Sequence, residues 1–231
     1  MDKTRVFAAP KAVLFDAYGT LFDVYSVGLL VEQLFPGHGQ ALSLLWRDKQ
    51  IEYTRLVSMS RGAAYQPFWA LTEAALRYSC KKLQLDLSAE AHSRLMNQYR
   101  HLSAFPENHG VLQTLKDRGV VTGILSNGDP EMLGIAVRSA GLENLLDHVI
   151  SIDSVQRYKT CPEAYALGES VTGLKAEQIG FVSSNSWDAL GATWFGYQTL
   201  WVNRYGWPFE ELGTQPYRIG SNLKDVLRLF D

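Results

Sequence analysis

Cysteine is scarce in this chain: Cys80 and Cys161 are the only two among 231 residues, and they lie far apart with no metal or redox spacing. That excludes a disulfide framework and a cysteine-based metal site, and it predicts two free thiols in a reducing, cytoplasmic setting. Long apolar runs are also lacking. No stretch approaches the length of a membrane span, and Met1–Pro10 has no signal-peptide core, so no membrane partner is expected. Charge of one sign is missing as well, the net value being −2, which argues against nucleic acid or an anionic membrane surface as an obligatory partner. Repeats and low-complexity segments are absent. What remains is an ordinary globular composition, 46% hydrophobic and 20% charged, long enough to bury a full core. Six Trp and eleven Tyr suit an apolar pocket or a subunit interface as well as they suit core packing.

The organising stretch is Lys11–Phe22. Ala12–Phe15 is a short apolar run with strand character that stops at an acid, Asp16, with Gly19 close behind. In an open α/β sheet, ligands bind at the carboxyl ends of strands, and Asp16 stands at such an end. Helical spacing of apolar residues follows over Ser26–Phe35, Ala41–Met59, Gln66–Leu83 and Ala89–Leu102, broken at Pro36-Gly37, around Arg61-Gly62 and at Asp86–Ser88. Four consecutive helices without a strand predict a helical unit, residues 24–103, inserted into a core made of residues 1–23 and 104–231. Beyond Pro106 helices and strands alternate. Helices are expected over Asn108–Arg118, Pro130–Ala140, Pro162–Thr172, Trp187–Phe195 and Leu223–Phe230, and strands over Val120–Leu125, Val149–Ile152, Gln178–Val182 and Thr199–Val202. The fold class is therefore α/β, a Rossmann-like doubly wound parallel sheet with an inserted helical cap.

Polar clusters recur at the strand ends: Asp16 with Tyr18 and Thr20, Ser126-Asn127, and Ser183-Ser184-Asn185-Ser186-Trp187-Asp188, with Lys159 between the last two. Each has a plain structural reading. Asp16 can cap a turn, Ser126 or Asn127 can N-cap the helix at Pro130, Ser183 or Asn185 can cap the next one, and Lys159 can be a solvated charge. Several such clusters at successive strand ends of one sheet point instead to a shared site.

Phe-Asp-Ala-Tyr-Gly-Thr-Leu-Phe, Ile-Leu-Ser-Asn-Gly and Phe-Val-Ser-Ser-Asn-Ser-Trp-Asp resemble the haloacid dehalogenase superfamily, and within it the L-2-haloacid dehalogenases. Trp46-Arg47-Asp48-Lys49-Gln50 matches that subfamily's Trp-Arg-x-Lys-Gln signature, and the resemblance runs from about Lys11 to about Arg204. It implies hydrolysis of short L-2-haloalkanoates such as 2-chloropropionate or a haloacetate. Asp16 displaces halide from C2 to form an ester, water cleaves the ester, and a D-2-hydroxy acid leaves. An ionised, poorly solvated Asp16 needs a cation and donors, and Lys159 and Thr20 are placed to supply them. The resemblance assigns the halide cradle to Arg47 and Asn127, the substrate carboxylate to Ser126 and Lys159, and the water step to Asp188, Asn185 and Lys159 with Ser183 in support. Tyr165 occupies a supporting position. Tyr18, Ile51, Phe68, Tyr99 and Trp187 are expected to wall the pocket, although cap–core packing accounts for them equally well. The hydrolytic base stays open between Asp188 and Lys159.

Neither cofactor nor metal is expected. Most of the superfamily are magnesium-dependent phosphatases that use Asp-x-Asp at the first strand and two acids near the last; here Tyr18 replaces the second acid and Asp188 stands alone. A phosphatase of a small metabolite is the alternative activity, and a non-catalytic carboxylate-binding protein a third. Two departures from the family pattern stand out. The usual Lys-Pro-x-Pro reads Lys159-Thr160-Cys161-Pro162, one rigidifying proline fewer, and the segment between Met59 and Phe68 is longer. The resemblance also implies a homodimer.

Overall fold

Ala12–Phe15 (β1) is buried on both faces, which only a strand flanked on both edges and covered on both sides achieves. The computed structural model describes residues 7–60 and 62–231. Most of Met1–Pro10 and the helix break at Arg61 lie outside the described residues. After β1 come one 3₁₀ turn, Val24–Val27, and the helices Gly28–Leu34 (α1), Gly39–Met59 (α2), Phe68–Lys82 (α3) and Ala89–Arg100 (α4). Asn108–Asp117 (α5), Val121–Ser126 (β2), Pro130–Ser139 (α6) and His148–Ser151 (β3) follow. The chain then forms Pro162–Thr172 (α7), Ile179–Ser183 (β4), Ser186–Phe195 (α8), Gln198–Val202 (β5) and Arg218–Gly220 (β6).

All strand pairs are parallel, in the order β3-β2-β1-β4-β5-β6. The chain therefore builds outward from β1 in one direction, then returns to build outward in the other, and the switch point falls between β1 and β4. Phe15 pairs with Ile124 on one side and Val182 on the other. Asp16, Asn127 and Ser184, each one to three residues beyond such a pair, are thus gathered at one rim of the sheet.

Three expectations need correction. The segment Leu223–Phe230 is helical but wound as 3₁₀ turns, and the predicted first helix likewise begins with a 3₁₀ turn. β6 escaped prediction because it is three residues long, has no buried position and carries the exposed Ile219. Finally, neither Ser126 nor Asn127 caps α6: Asp129 does, accepting from Met132 N at 3.0 Å, with Pro130 in the first turn where its missing N–H costs nothing.

The chain enters and leaves the α1–α4 layer side by side. Asp23 N donates to Ser103 O (2.8 Å), Phe105 N to Leu21 O (3.1 Å), and Phe22 bridges Ala104. The layer covers the strand ends mainly through α2, whose buried face presents Trp46, Arg47, Gln50, Ile51 and Thr54. That spacing is the helical stripe that packs on a core, except that it carries a cation and an amide.

Candidate active site

Asp16 ends β1 with its backbone N–H fixed to Val182 O at 2.9 Å, and its carboxylate meets three donors. Oδ1 accepts from Lys159 Nζ (3.1 Å), while Oδ2 accepts from Thr20 Oγ1 (3.1 Å) and Asn185 Nδ2 (2.8 Å). Thr20 is held in turn by Ser184 N, which donates to its hydroxyl oxygen at 2.8 Å. Gly19 makes the turn between Asp16 and Thr20 possible: its φ is +96°, a backbone conformation that side chains with a Cβ rarely adopt.

Lys159 is 1% exposed and bridges two acids, donating to Asp188 Oδ2 at 3.0 Å as well as to Asp16. A fully buried lysine so paired belongs to the site, and the solvated-charge alternative falls. Its backbone N–H donates to Asn127 Oδ1 at 3.0 Å. Asp188, on the first turn of α8, has its other oxygen on the Tyr165 hydroxyl at 2.8 Å. Burial raises the Asp188 pKa from its usual value to about 6, and the nearby Asp16 charge adds to the rise, against the pull of Lys159 and Tyr165.

Asn185 occupies the N-cap position of α8, yet its side chain makes no cap bond. Nδ2 goes instead to Asp16 and to Tyr18 O (3.0 Å), and Oδ1 accepts from Arg47 Nη2 at 3.2 Å. Ser183 Oγ accepts from Asn185 N (3.1 Å) and Ser126 Oγ from Gly128 N (3.1 Å), each shaping the turn at its own strand end. Arg47 reaches down from α2, buried rather than solvated, and also donates to Tyr18 O at 3.0 Å.

The aromatic wall forms around Tyr18, whose ring centroid lies 5.5 Å from Phe68 and 6.0 Å from Tyr99. Complete burial there pushes the Tyr18 hydroxyl well above its usual pKa, so it stays protonated. Ile51 is buried on the same face of α2. Trp187 is set apart, only half-buried, with the Arg55 guanidinium 5.6 Å over its ring. Two buried residues beside the site drew no role from the sequence, one of them quoted only as the last letter of the Trp-Arg-x-Lys-Gln signature. Tyr158 is fully buried, packs on Phe68 with centroids 6.2 Å apart and donates to Gln66 O at 2.6 Å; its position before Lys159 was the available signal. Gln50 is the other, bonded to Arg47. A cavity of about 230 Å³, bordered by Arg55, Ser58, Tyr158 and Cys161, opens beside Lys159. Among the described residues, no group of three or more His, Cys, Asp or Glu is arranged to hold a metal ion.

This fold and strand-end constellation define a haloacid dehalogenase-like hydrolase, and the model of that family matches residues 10–196. The chain belongs to it. Within the family it falls in the L-2-haloacid dehalogenase subfamily. It is 46% identical over 221 residues to an (S)-2-haloacid dehalogenase of Pseudomonas sp. (strain YL), spanning 96% of this chain and 94% of that one. Its structure matches that of the L-2-haloacid dehalogenase RSc1362 with a TM-score of 0.94 and 55% identity, over 96% of this chain and 99% of the other. It also matches the L-2-haloacid dehalogenase from Xanthobacter autotrophicus with chloropropionic acid covalently bound, at a TM-score of 0.88 and 34% identity, over 95% and 98% of the two chains.

Proposed function

We propose that this chain is an (S)-2-haloacid dehalogenase acting on short L-2-haloalkanoates through an ester on Asp16. The observation that carries the reading is the asymmetric partnering of the Asp16 carboxylate. Oδ2 accepts two hydrogen bonds while Oδ1 accepts one, from Lys159, and so keeps the freer lone pairs. Oδ1 attacks C2 from the side opposite the halogen, the C–O bond forms, and the carbon–halogen electron pair leaves as halide. Arg47 and Asn127 receive that halide; Asn127, its Oδ1 taken by Lys159, has only the Nδ2 donor to offer. Ser126 and Lys159 hold the substrate carboxylate, and Tyr18, Ile51, Phe68, Tyr99 and Trp187 flank the alkyl group.

In the ester, Oδ2 is the carbonyl oxygen, and Thr20 and Asn185 already donate to it. They are then the donors that stabilise the oxyanion when water adds to the Asp16 carboxyl carbon. Asp188 takes the water proton. Lys159 Nζ donates to both acids and has no acceptor to offer, whereas Asp188, raised to about 6, is a stronger base than an ordinary carboxylate and still ionised at neutral pH. The adduct collapses, the D-2-hydroxy acid leaves with that proton, and Asp16 sheds its remaining proton to solvent. Tyr165 and Ser183 position Asp188 and Asn185. Residues 24–103 act as the cap and 1–23 with 104–231 as the core.

Halide release from separate L and D forms of 2-chloropropionate tests the reading. Release from the L form alone, abolished by Asp16→Asn, is expected; equal release from both forms sinks it. A cytoplasmic homodimer completes the proposal. The free thiols of Cys80 and Cys161 favour the compartment, and the resemblance to the L-2-haloacid dehalogenases favours a second copy, which light scattering would detect.

A further inference from the structure

Among the described residues, Arg47 is a buried cation with no anion of its own. Its Nη1 donates to Gln50 Oε1 at 2.8 Å, and its Nη2 to Tyr18 O and Asn185 Oδ1. All three acceptors are neutral, and among the described residues Arg47 makes no salt bridge, unlike the buried Lys159. A buried guanidinium without a counter-ion is costly unless a ligand supplies one.

Gln50 is itself fully buried, and its neighbours dictate which way its amide points. Thr72 Oγ1 donates to Phe68 O (2.8 Å), so its remaining capacity is to accept, and Gln50 Nε2 donates to it at 2.6 Å. Oε1 then faces the two donors on the other side, Arg47 Nη1 and the Tyr99 hydroxyl at 3.0 Å. A flipped amide would set N–H groups against N–H groups. A glutamate has the same shape, but it would add a negative charge beside Arg47. The site now holds two acids, Asp16 and Asp188, against two cations, Lys159 and Arg47; a third acid would leave it net negative just where an anionic substrate enters and a halide forms.

We infer that Gln50 is a positioning residue that fixes the Arg47 guanidinium toward the departing halide while leaving its positive charge uncompensated. The identity of the anion rests on the dehalogenase reading; the holding of Arg47 does not.

Three variants, Gln50→Glu, Gln50→Met and Thr72→Val, separate this from a purely structural role. Bromide binding is followed by broadening of the ⁸¹Br resonance, and ester formation on Asp16 and its hydrolysis are timed separately by rapid quench and mass spectrometry. Gln50→Glu is expected to weaken bromide binding and slow ester formation, each by at least about tenfold, with ester hydrolysis within about twofold of the parent. Gln50→Met and Thr72→Val, which remove the acceptor or release the amide to flip, should show the same pattern at about threefold. If Gln50→Glu does not fold, those two decide. Unchanged bromide affinity in the folded variants overturns the inference, as does an equal loss of both half-reactions alongside a lowered melting temperature. If the parent protein forms no ester, the dehalogenase reading fails by itself, and the bromide titration alone decides the role of Gln50.

Discussion

The Tyr165 hydroxyl donates to Asp188 Oδ1 across 2.8 Å, joining the helix before β4 to the helix after it. That bond favours the ionised acid, so Tyr165→Phe should push Asp188 further above about 6. The expected result is an acid limb of ester hydrolysis displaced upward by about half a pH unit or more. In the parent protein, esterification removes the Asp16 charge that helps raise Asp188, so hydrolysis should titrate below the free-protein value. Rapid-quench hydrolysis rates across pH give both limbs; coincident limbs in parent and variant count against Asp188 as the base.

Asp188 also predicts a stability profile. Its folded pKa is raised above the unfolded one, so the stability it contributes is present below the unfolded value, near 3.8, and is lost as pH rises through about 6. Asp188→Asn mimics the protonated form and should gain melting temperature relative to the parent as pH climbs through that window, while turnover disappears. A constant difference across pH would place the titration elsewhere.

Thr20→Ala removes one of two donors on Asp16 Oδ2 and strands the Ser184 N–H that Thr20 accepts. Hydrolysis should slow by about 10²-fold, the scale for one oxyanion donor, while the displacement step slows less. Intact-protein mass spectrometry should then detect the ester at steady state.

Gly128→Ala tests the pocket wall. The added Cβ would come within 2.7 Å of the Tyr18 ring and 3.1 Å of Leu133. Overpacking of this kind costs about 1–3 kcal/mol. With Tyr18 pressed inward, kcat/KM for a four-carbon haloacid should fall more than for a haloacetate; an equal fall would put Tyr18 outside the alkyl subsite.

Arg204 was unread in the sequence, yet it lies 2.7 Å from Glu107, donates to Thr20 O at 3.0 Å and stacks 3.6 Å over Phe105. Arg204→Met would leave Glu107 half-buried without its partner, whose presence lowers the Glu107 pKa. A loss of about 1–2 kcal/mol is expected by denaturant titration, between the values for exposed and for fully buried pairs.

These cases mark what a sequence exposes. The core strands were legible because burial on both faces demands continuous apolar runs, as in Ala12–Phe15 and Ile179–Ser183. β6 was not, since an edge strand with an exposed Ile219 has no such run. Among site residues, Asp16 and Asp188 stood out as charges near strand ends, and Lys159 as a lone lysine between two of the strand-end clusters. Tyr158 and Arg204 did not, because their partners lie 92 to 184 positions away and no local pattern announces a long-range hydrogen bond; Gln50 stood in the Trp-Arg-x-Lys-Gln signature, but its bonds to Thr72 and Tyr99, 22 and 49 positions away, gave it no legible role. The cap of α6 shows the same limit from the other side. Asp129, Ser126 and Asn127 are all competent caps by residue type, and only the turn geometry selected Asp129.

The neck at Leu21–Asp23 and Ser103–Phe105 has an evolutionary consequence. Because both ends of the helical insert are tied together by 2.8 and 3.1 Å backbone bonds, its removal or exchange would leave the sheet and the Asp16 turn with nearly the same end-to-end constraint. Asp16 stands on the chain before the insert and Lys159 and Asp188 after it, while Arg47, Gln50 and Phe68 stand within it, so a single exchange replaces every insert side chain that faces the nucleophile. A lineage could thus vary the wall above Asp16 by recombining one contiguous segment, provided the replacement keeps a cation where Arg47 stands.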